Sequence, residues 1–228
     1  MKFQAVLFDL DNTLTHREQS INVFSRHLFE VYQADLTITD QAKITEIIHY
    51  IDHGGYPILE RLTHKSIAAS VAQALIEQLE WSTKPSLETL TQFWFEQFAQ
   101  SAVAMQGALP LLEHLKAENY KLAVVSNGQH ASRLNILKKL GFADYFDEII
   151  SSEKIGVAKP KAEIFSQSCS LLGVKPSQSL FVGDHPINDF QGAKAAGLQA
   201  LLLDGFHDNT VENEHKISTL SEILKHLN

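Results

Sequence analysis

Five short apolar runs recur along the chain, and between most of them lies a segment with helical spacing; this alternation restricts the fold more than any other feature. The runs are Ala5–Phe8, Lys121–Val125, Glu148–Ile150, Leu180–Val182 and Ala200–Leu203. The helical segments are Leu111–Glu118, Ser132–Leu140, Ala162–Leu172 and Gln191–Ala196, with Ser221–Leu227 closing the chain. Strands that are apolar throughout are buried on both faces, and parallel neighbours need a crossover long enough to hold a helix. The pattern therefore predicts an α/β fold, a doubly wound parallel sheet covered by helices. Gly141, Gly173 and Gly197 each stand just beyond the last periodic residue of a helix, where a left-handed stop is needed.

One interval breaks the alternation. From Thr15 to about Ser101 no strand pattern occurs, but helical stretches fall near Ile21–Tyr32, Asp40–Ile51, Lys65–Leu79 and Leu87–Gln100. The expected organisation is an α/β core of residues 1–14 and 101–228 with an all-helical insertion at 15–100. Phe24, Leu28, Phe29 and Tyr32, with Phe93, Trp94 and Phe98, sit at helical spacing and are expected to pack as the insertion's own core. Loops at His53–Pro57 and Ser82–Pro85 punctuate it.

A chain of 228 residues that is 44% hydrophobic can bury a proper core. Its net charge of −8 argues against a nucleic-acid polymer as partner, because tracking phosphates needs a basic field. A small anion is still compatible if positive charge is concentrated locally. The single cysteine, Cys169, lies in an apolar stretch and reads as a packed thiol in a reducing compartment. The first eight residues form a strand rather than a leader, and no apolar run approaches the ~20 residues needed to cross a bilayer. A cytoplasmic protein without a membrane partner is expected.

The polar residues gather at the ends of the strand runs. The first ends in Asp9-Leu10-Asp11-Asn12-Thr13, and side chains two apart on a strand share a face, so the two carboxylates can converge. At ~4 Å, two like charges cost about 4 kcal/mol at an effective dielectric of 20, so a hard divalent cation or a shared proton is expected. Asp11 or Thr13 capping a following turn would leave the same local pattern. The second run leads into Ser126-Asn127-Gly128, which offers a hydroxyl, an amide and an unhindered backbone to phosphate oxygens, although the same tripeptide also makes ordinary turns. Lys159 precedes Pro160, a residue able to open the helix that follows, while Lys161 reads as a solvated neighbour. The fourth run ends in Gly183-Asp184-His185-Pro186-Ile187-Asn188-Asp189 and adds two more carboxylates. Ligands of open α/β sheets bind outside the carboxyl ends of the strands, so these groups share one expected location.

Taken together, Asp9-x-Asp11-x-Thr13, Ser126, Lys159 and Gly183-Asp184 with Asp189 resemble the four motifs of the haloacid dehalogenase superfamily, in its branch with a helical cap after the first motif. The resemblance implies a phosphohydrolase in which Asp9 attacks phosphorus, Asp11 serves as general acid and then base, and Ser126 and Lys159 hold the phosphoryl group. Thr13, Asn127 and Gly128 complete the implied substrate site. It also implies Mg2+ held by the Asp9 side chain, the Asp11 backbone carbonyl and Asp184, with Asp189 in support. Dehalogenating members lack an acid at the position of Asp11, so phosphoryl chemistry on a small phosphorylated metabolite is favoured. A sugar-phosphate mutase and a non-catalytic binding protein are the alternatives. His185, next to Asp184, either lines the site or shapes its loop and supports the neighbouring ligands, the latter being favoured. Gln129 and His130 are either phosphate donors or a helix start, and Arg17, His53, Tyr56 and Arg61 are candidates either for substrate contact or for the surface.

Overall fold

The computed structural model describes residues 3–37 and 41–227. Met1, Lys2 and Asp40, which the sequence reading assigns to the N-terminal strand segment and to the start of a helix, lie outside the described residues. The chain divides into two compact units, Met1–His16 with Ala104–Asn228, and Arg17–Val103.

The first unit is built on a parallel sheet of β1 (Ala5–Phe8), β2 (Lys121–Ser126), β3 (Glu148–Ser151), β4 (Ser179–Gly183), β5 (Gln199–Leu203) and β6 (Lys216–Ile217), in the order β3-β2-β1-β4-β5-β6. The chain runs outward from β1 through β2 to β3, then returns to the other side of β1 to place β4. Phe8 pairs with Val124 on one side and Val182 on the other. The point where the strand order reverses therefore lies between β1 and β4, and it is outside the carboxyl ends at such a point that open α/β sheets bind ligands. Burial explains the apolar runs: every residue of β1 and β4 is buried, and β2 is buried after Lys121. The helix Ala162–Leu172 lays Ile164, Phe165, Cys169 and Leu172 against Leu7, Ala123, Val125 and Phe181. Cys169 is thus a packed thiol, with Sγ 3.6 Å from Ser179 Oγ.

Three local expectations are corrected. Pro160 does not open the helix, which begins at Ala162 after Lys161; Pro160 instead follows a cis peptide bond in the preceding turn. The segment expected as a helix at 191–196 starts earlier, as a π-helical turn over Pro186–Gln191 that passes into Gly192–Ala195. The closing segment is a 3-10 helix, Leu220–His226, and β6 was not anticipated because two residues carry no period.

The second unit is helical: Arg17–Tyr32, Gln41–Asp52, Ile67–Gln78 and Leu87–Gln97, with short 3-10 turns between and after them. Ser66 and Ser86 cap the last two helices by accepting from Ala69 N and Thr89 N. Its core joins Ile21, Phe24 and Leu28 to Ile44, Ile48, Val71, Leu75, Leu90 and Trp94. The aromatic stripe is part of this core: Phe24 lies 4.9 Å from Trp94, which stacks on Phe98 at 4.4 Å. Inside it, the Arg17 guanidinium grips Asp52 through both carboxylate oxygens, at 2.8 and 2.5 Å, and Gly55 N donates to the same carboxylate at 3.0 Å. Arg17 is therefore buried in an ion pair rather than exposed at the surface. His53, Gly54 and Gly55, all at positive φ, follow Asp52 directly.

Candidate active site

Asp9 leaves β1 still tied to the sheet, its N–H donating to Val182 O at 2.9 Å. The chain then folds back over the Leu10 carbonyl, which accepts from Leu14 N, Thr15 N and Thr15 Oγ1 at 2.9–3.1 Å. Asn12 adopts φ 55°, a left-handed conformation that asparagine tolerates better than most residues. This tight loop takes Asp11 away from the sheet, and the Asp11 carboxylate lies 3.5 Å from the Arg133 guanidinium. Thr13 is fully buried, with no protein partner for its hydroxyl.

Lys159 reaches the same place from the far side of β2. Asn127 holds it by the backbone, accepting from Lys159 N at 2.8 Å and donating to Lys159 O at 3.1 Å. Both groups of the Asn127 side-chain amide thus tie the Lys159 backbone to the end of β2. The Lys159 ammonium bridges Asp9 and Asp189, contacting Asp189 Oδ1 at 2.6 Å and Asp9 Oδ1 more closely still. Ser126 is buried at the end of β2. Gly128 N donates to Ser152 Oγ at 2.9 Å and His130 N to Glu153 Oε2 at 2.8 Å, so these backbone donors serve the start of the His130–Lys139 helix.

Beyond β4, Gly183 is required: a Cβ there would sit 2.4 Å from the Asp189 carboxylate. Asp189 returns over the strand end through the π-helical turn and accepts from His185 N at 3.0 Å. His185 stabilises that turn, its Nδ1 accepting from Ile187 N and Asn188 N at 3.1 and 3.0 Å. Burial, with His207 and Lys159 nearby, lowers its pKa to about 4. The loop-shaping role expected of His185 is the one its ring performs.

Asp9, Asp184 and Asp189 each bring a carboxylate oxygen within 4.8 Å of the others. All three are buried, and Lys159 is the cation bonded among them. Three negative charges against one positive leave an excess of two if all are ionised. Burial and this crowding shift the proton affinities of the group. Burial pushes the Asp9 carboxyl up to about 7 despite Lys159, and burial likewise raises Asp184 and Asp189. Burial alone would lower Lys159, but Asp189 and Asp9 overrule it and hold the ammonium above the usual lysine range. Asp9 Oδ2 is buried without a hydrogen-bond partner. An orphaned carboxylate oxygen, an all-oxygen donor set and an uncompensated charge of two fit a hard divalent cation. The Asp11 side chain is not in this group.

The sequence matches the family described as haloacid dehalogenase-like hydrolase over residues 6–203, a span that contains every one of these groups. The chain belongs to that family. This haloacid dehalogenase-like hydrolase is similar to the glyceraldehyde 3-phosphate phosphatase of Methanothermobacter thermautotrophicus, 37% identical over 40% of each chain. It is also similar to the pyrimidine 5′-nucleotidase YjjG of Escherichia coli, 31% identical over 63% of this chain and 64% of that one. The matched regions thus span 40% and 64% of these curated relatives. Among solved structures, magnesium-bound YfnB of Bacillus subtilis shares the fold with a TM-score of 0.79, 22% identity and full coverage of both chains. No helix among the described residues is long and apolar enough to cross a membrane.

Two residues near the site escaped the sequence reading. His207 Nε2 lies 3.1 Å from Asp184 Oδ2. Arg133 donates twice to Asn127 O, at 3.1 and 2.7 Å, and packs over Gly128. Arg133 is placed by helical geometry and His207 by a loop after β5, and neither position follows a motif spacing.

Proposed function

We propose that this hydrolase cleaves a small phosphomonoester with Mg2+, using Asp9 as nucleophile. The observation that carries the reading is the buried, under-neutralised cluster of Asp9, Asp184, Asp189 and Lys159 at the sheet's switch point, with Asp9 Oδ2 orphaned. Asp9 and Asp184, backed by Asp189 and the Asp11 carbonyl, would hold the ion. When bound, the ion supplies charge neutralisation between carboxylate and phosphoryl oxygens.

The chain's own groups account for the rest. An Asp9 oxygen forms a bond to phosphorus as the ester P–O bond breaks, giving an acyl phosphate and replacing one hard displacement by two easier ones. Asp11 donates its proton to the leaving alkoxide, then removes one from the water that attacks the acyl phosphate, which regenerates Asp9 and releases phosphate. Lys159 and Ser126, with Thr13 beside them, hold the transferring group. Asn127 keeps Lys159 in place from behind. The helical unit, which the resemblance makes a cap, is the part that would select the leaving group.

The relatives' names point to triose phosphates and pyrimidine nucleotides as first substrates to try. Phosphate release from a panel containing both, together with sugar phosphates and a generic aryl phosphate, tests the reading. Hydrolysis is expected with Mg2+ and not with chelator. Undiminished turnover in chelator, or with Asp9→Asn, defeats it. Accumulation of a glucose 1-phosphate isomer without free phosphate would point instead to a mutase.

A further inference from the structure

The loop after β5 carries a residue that the mechanism above leaves unused. β5 ends at Leu203, and four residues later His207 returns to the carboxyl edge of the sheet, where its Nε2 meets Asp184 Oδ2 at 3.1 Å. The Asp184 carboxylate is buried, whereas the His207 side chain retains 20% exposure. A buried carboxylate that must meet a cation has to be held in rotation about its terminal bond, because a wrong rotamer points its oxygens elsewhere. A hydrogen bond from outside the coordination sphere supplies that restraint and sharpens the preferred direction of the ligand.

The tautomer required follows from the partner. A carboxylate that binds a cation is ionised and only accepts, so in that state Nε2 carries the proton of this contact. The ring is itself held in place: His185 lies against it, ring centres 4.7 Å apart, and His185 is fixed by the two backbone N–H groups on its Nδ1. Asp204 holds the base of the same loop, accepting from Asn209 Nδ2 at 2.8 Å, and Asn209 donates to His207 O at 3.0 Å. Each neighbour constrains the loop so that one imidazole nitrogen faces one carboxylate oxygen.

We infer that His207 is a positioning residue for the cation, orienting the Asp184 carboxylate through an Nε2–H hydrogen bond and thereby setting the affinity for a divalent ion. This rests on the proposed reading that Asp184 is a metal ligand. His207 does not touch the reacting atoms.

The test measures binding rather than turnover. Mn2+ is titrated into the full chain at one fixed pH, and the free ion is followed by electron paramagnetic resonance for the wild type, His207→Phe, His207→Gln and Asp184→Asn. His207→Phe keeps the ring and removes the donor, and is expected to weaken Mn2+ binding roughly 10- to 100-fold. His207→Gln restores an N–H at similar reach and is expected to recover most of that loss, which a purely steric role would not do. His207→Ala replaces the Phe variant if that ring disturbs His185, with the melting temperature in chelator as the check on folding. Wild-type affinity in the donor-less variant, or a Gln variant as weak as Phe, overturns the inference while leaving the metal reading standing. If Asp184→Asn binds Mn2+ as the wild type does, the metal reading itself falls and takes the inference with it.

Discussion

Both units of this molecule bury charge, and they do so in opposite ways. In the helical unit, Arg17 and Asp52 are matched one to one. The guanidinium fork meets both carboxylate oxygens, and Gly55 N fills a further acceptor position. In the α/β unit three carboxylates lie close together, the Lys159 ammonium bonds two of them, and one oxygen of Asp9 has no hydrogen-bond partner. A balanced, fully bonded pair is what a fold uses to fix its own geometry. An unbalanced one is costly to keep unless it is completed by something the chain does not itself supply.

The sharpest way to break this contrast is to remove one charge from each cluster and compare signs. Asp9→Asn is expected to lower phosphate release by at least about a thousandfold. In chelator at neutral pH and above the same change should raise the melting temperature, because it removes a charge whose burial costs more than its attraction to Lys159 returns. The pH dependence carries the same sign. A carboxyl whose folded pKa is raised from 3.8 to about 7 holds its proton better when folded, so its contribution to stability falls as the pH rises across that window. The wild type in chelator should show this decline, and Asp9→Asn should show less of it, because Asp184 and Asp189 are raised as well and keep a part of the same sign.

Asp11→Asn separates proton transfer from charge balance, since that side chain lies outside the buried cluster. Turnover with an alkyl ester is expected to fall about 10²- to 10⁴-fold. Mn2+ affinity should stay near that of the wild type, and a large drop would mean that Asp11 has been misassigned.

On the helical side, Arg17→Met strands a buried carboxylate and is expected to cost about 3–5 kcal/mol in urea unfolding. Adding Asp52→Leu should recover most of this loss, because a matched pair can be exchanged for apolar packing. A double variant no more stable than the single one would show that the pair does more than hold the turn at His53–Gly55.

The smallest effect is expected at Asp147, half-exposed beside Lys116. Partial burial works against its ionisation, yet the Leu122 N–H and Lys116 hold its pKa below the usual range. Such a group contributes stability above its unfolded pKa and loses it as the pH falls through the folded value. Asp147→Asn should cost no more than about 1 kcal/mol at neutral pH, with the gap closing in acid.

The sheet was legible because burial on both faces leaves an unmistakable composition: the ranges predicted for β1 to β5 differ from those observed by at most one residue at either end. Asp9, Lys159, Asp184 and Asp189 were legible because strand ends are the positions that the topology brings together. The part Asn127 plays was not. An amide after a strand suggests a ligand contact, and only the coordinates show both its groups committed to the Lys159 backbone. His207 was hidden for another reason: it reaches Asp184 across a loop whose path has no period to read. The π-helical turn at Pro186–Gln191 escaped because its spacing matches neither of the usual periods.

Asp9 and Lys159 meet although 150 positions separate them along the chain. The buried cluster therefore cannot form until the chain has been made past β4 and that strand has docked beside β1. If Asp9 is the nucleophile proposed above, turnover reports on completion of the sheet more directly than helix content does.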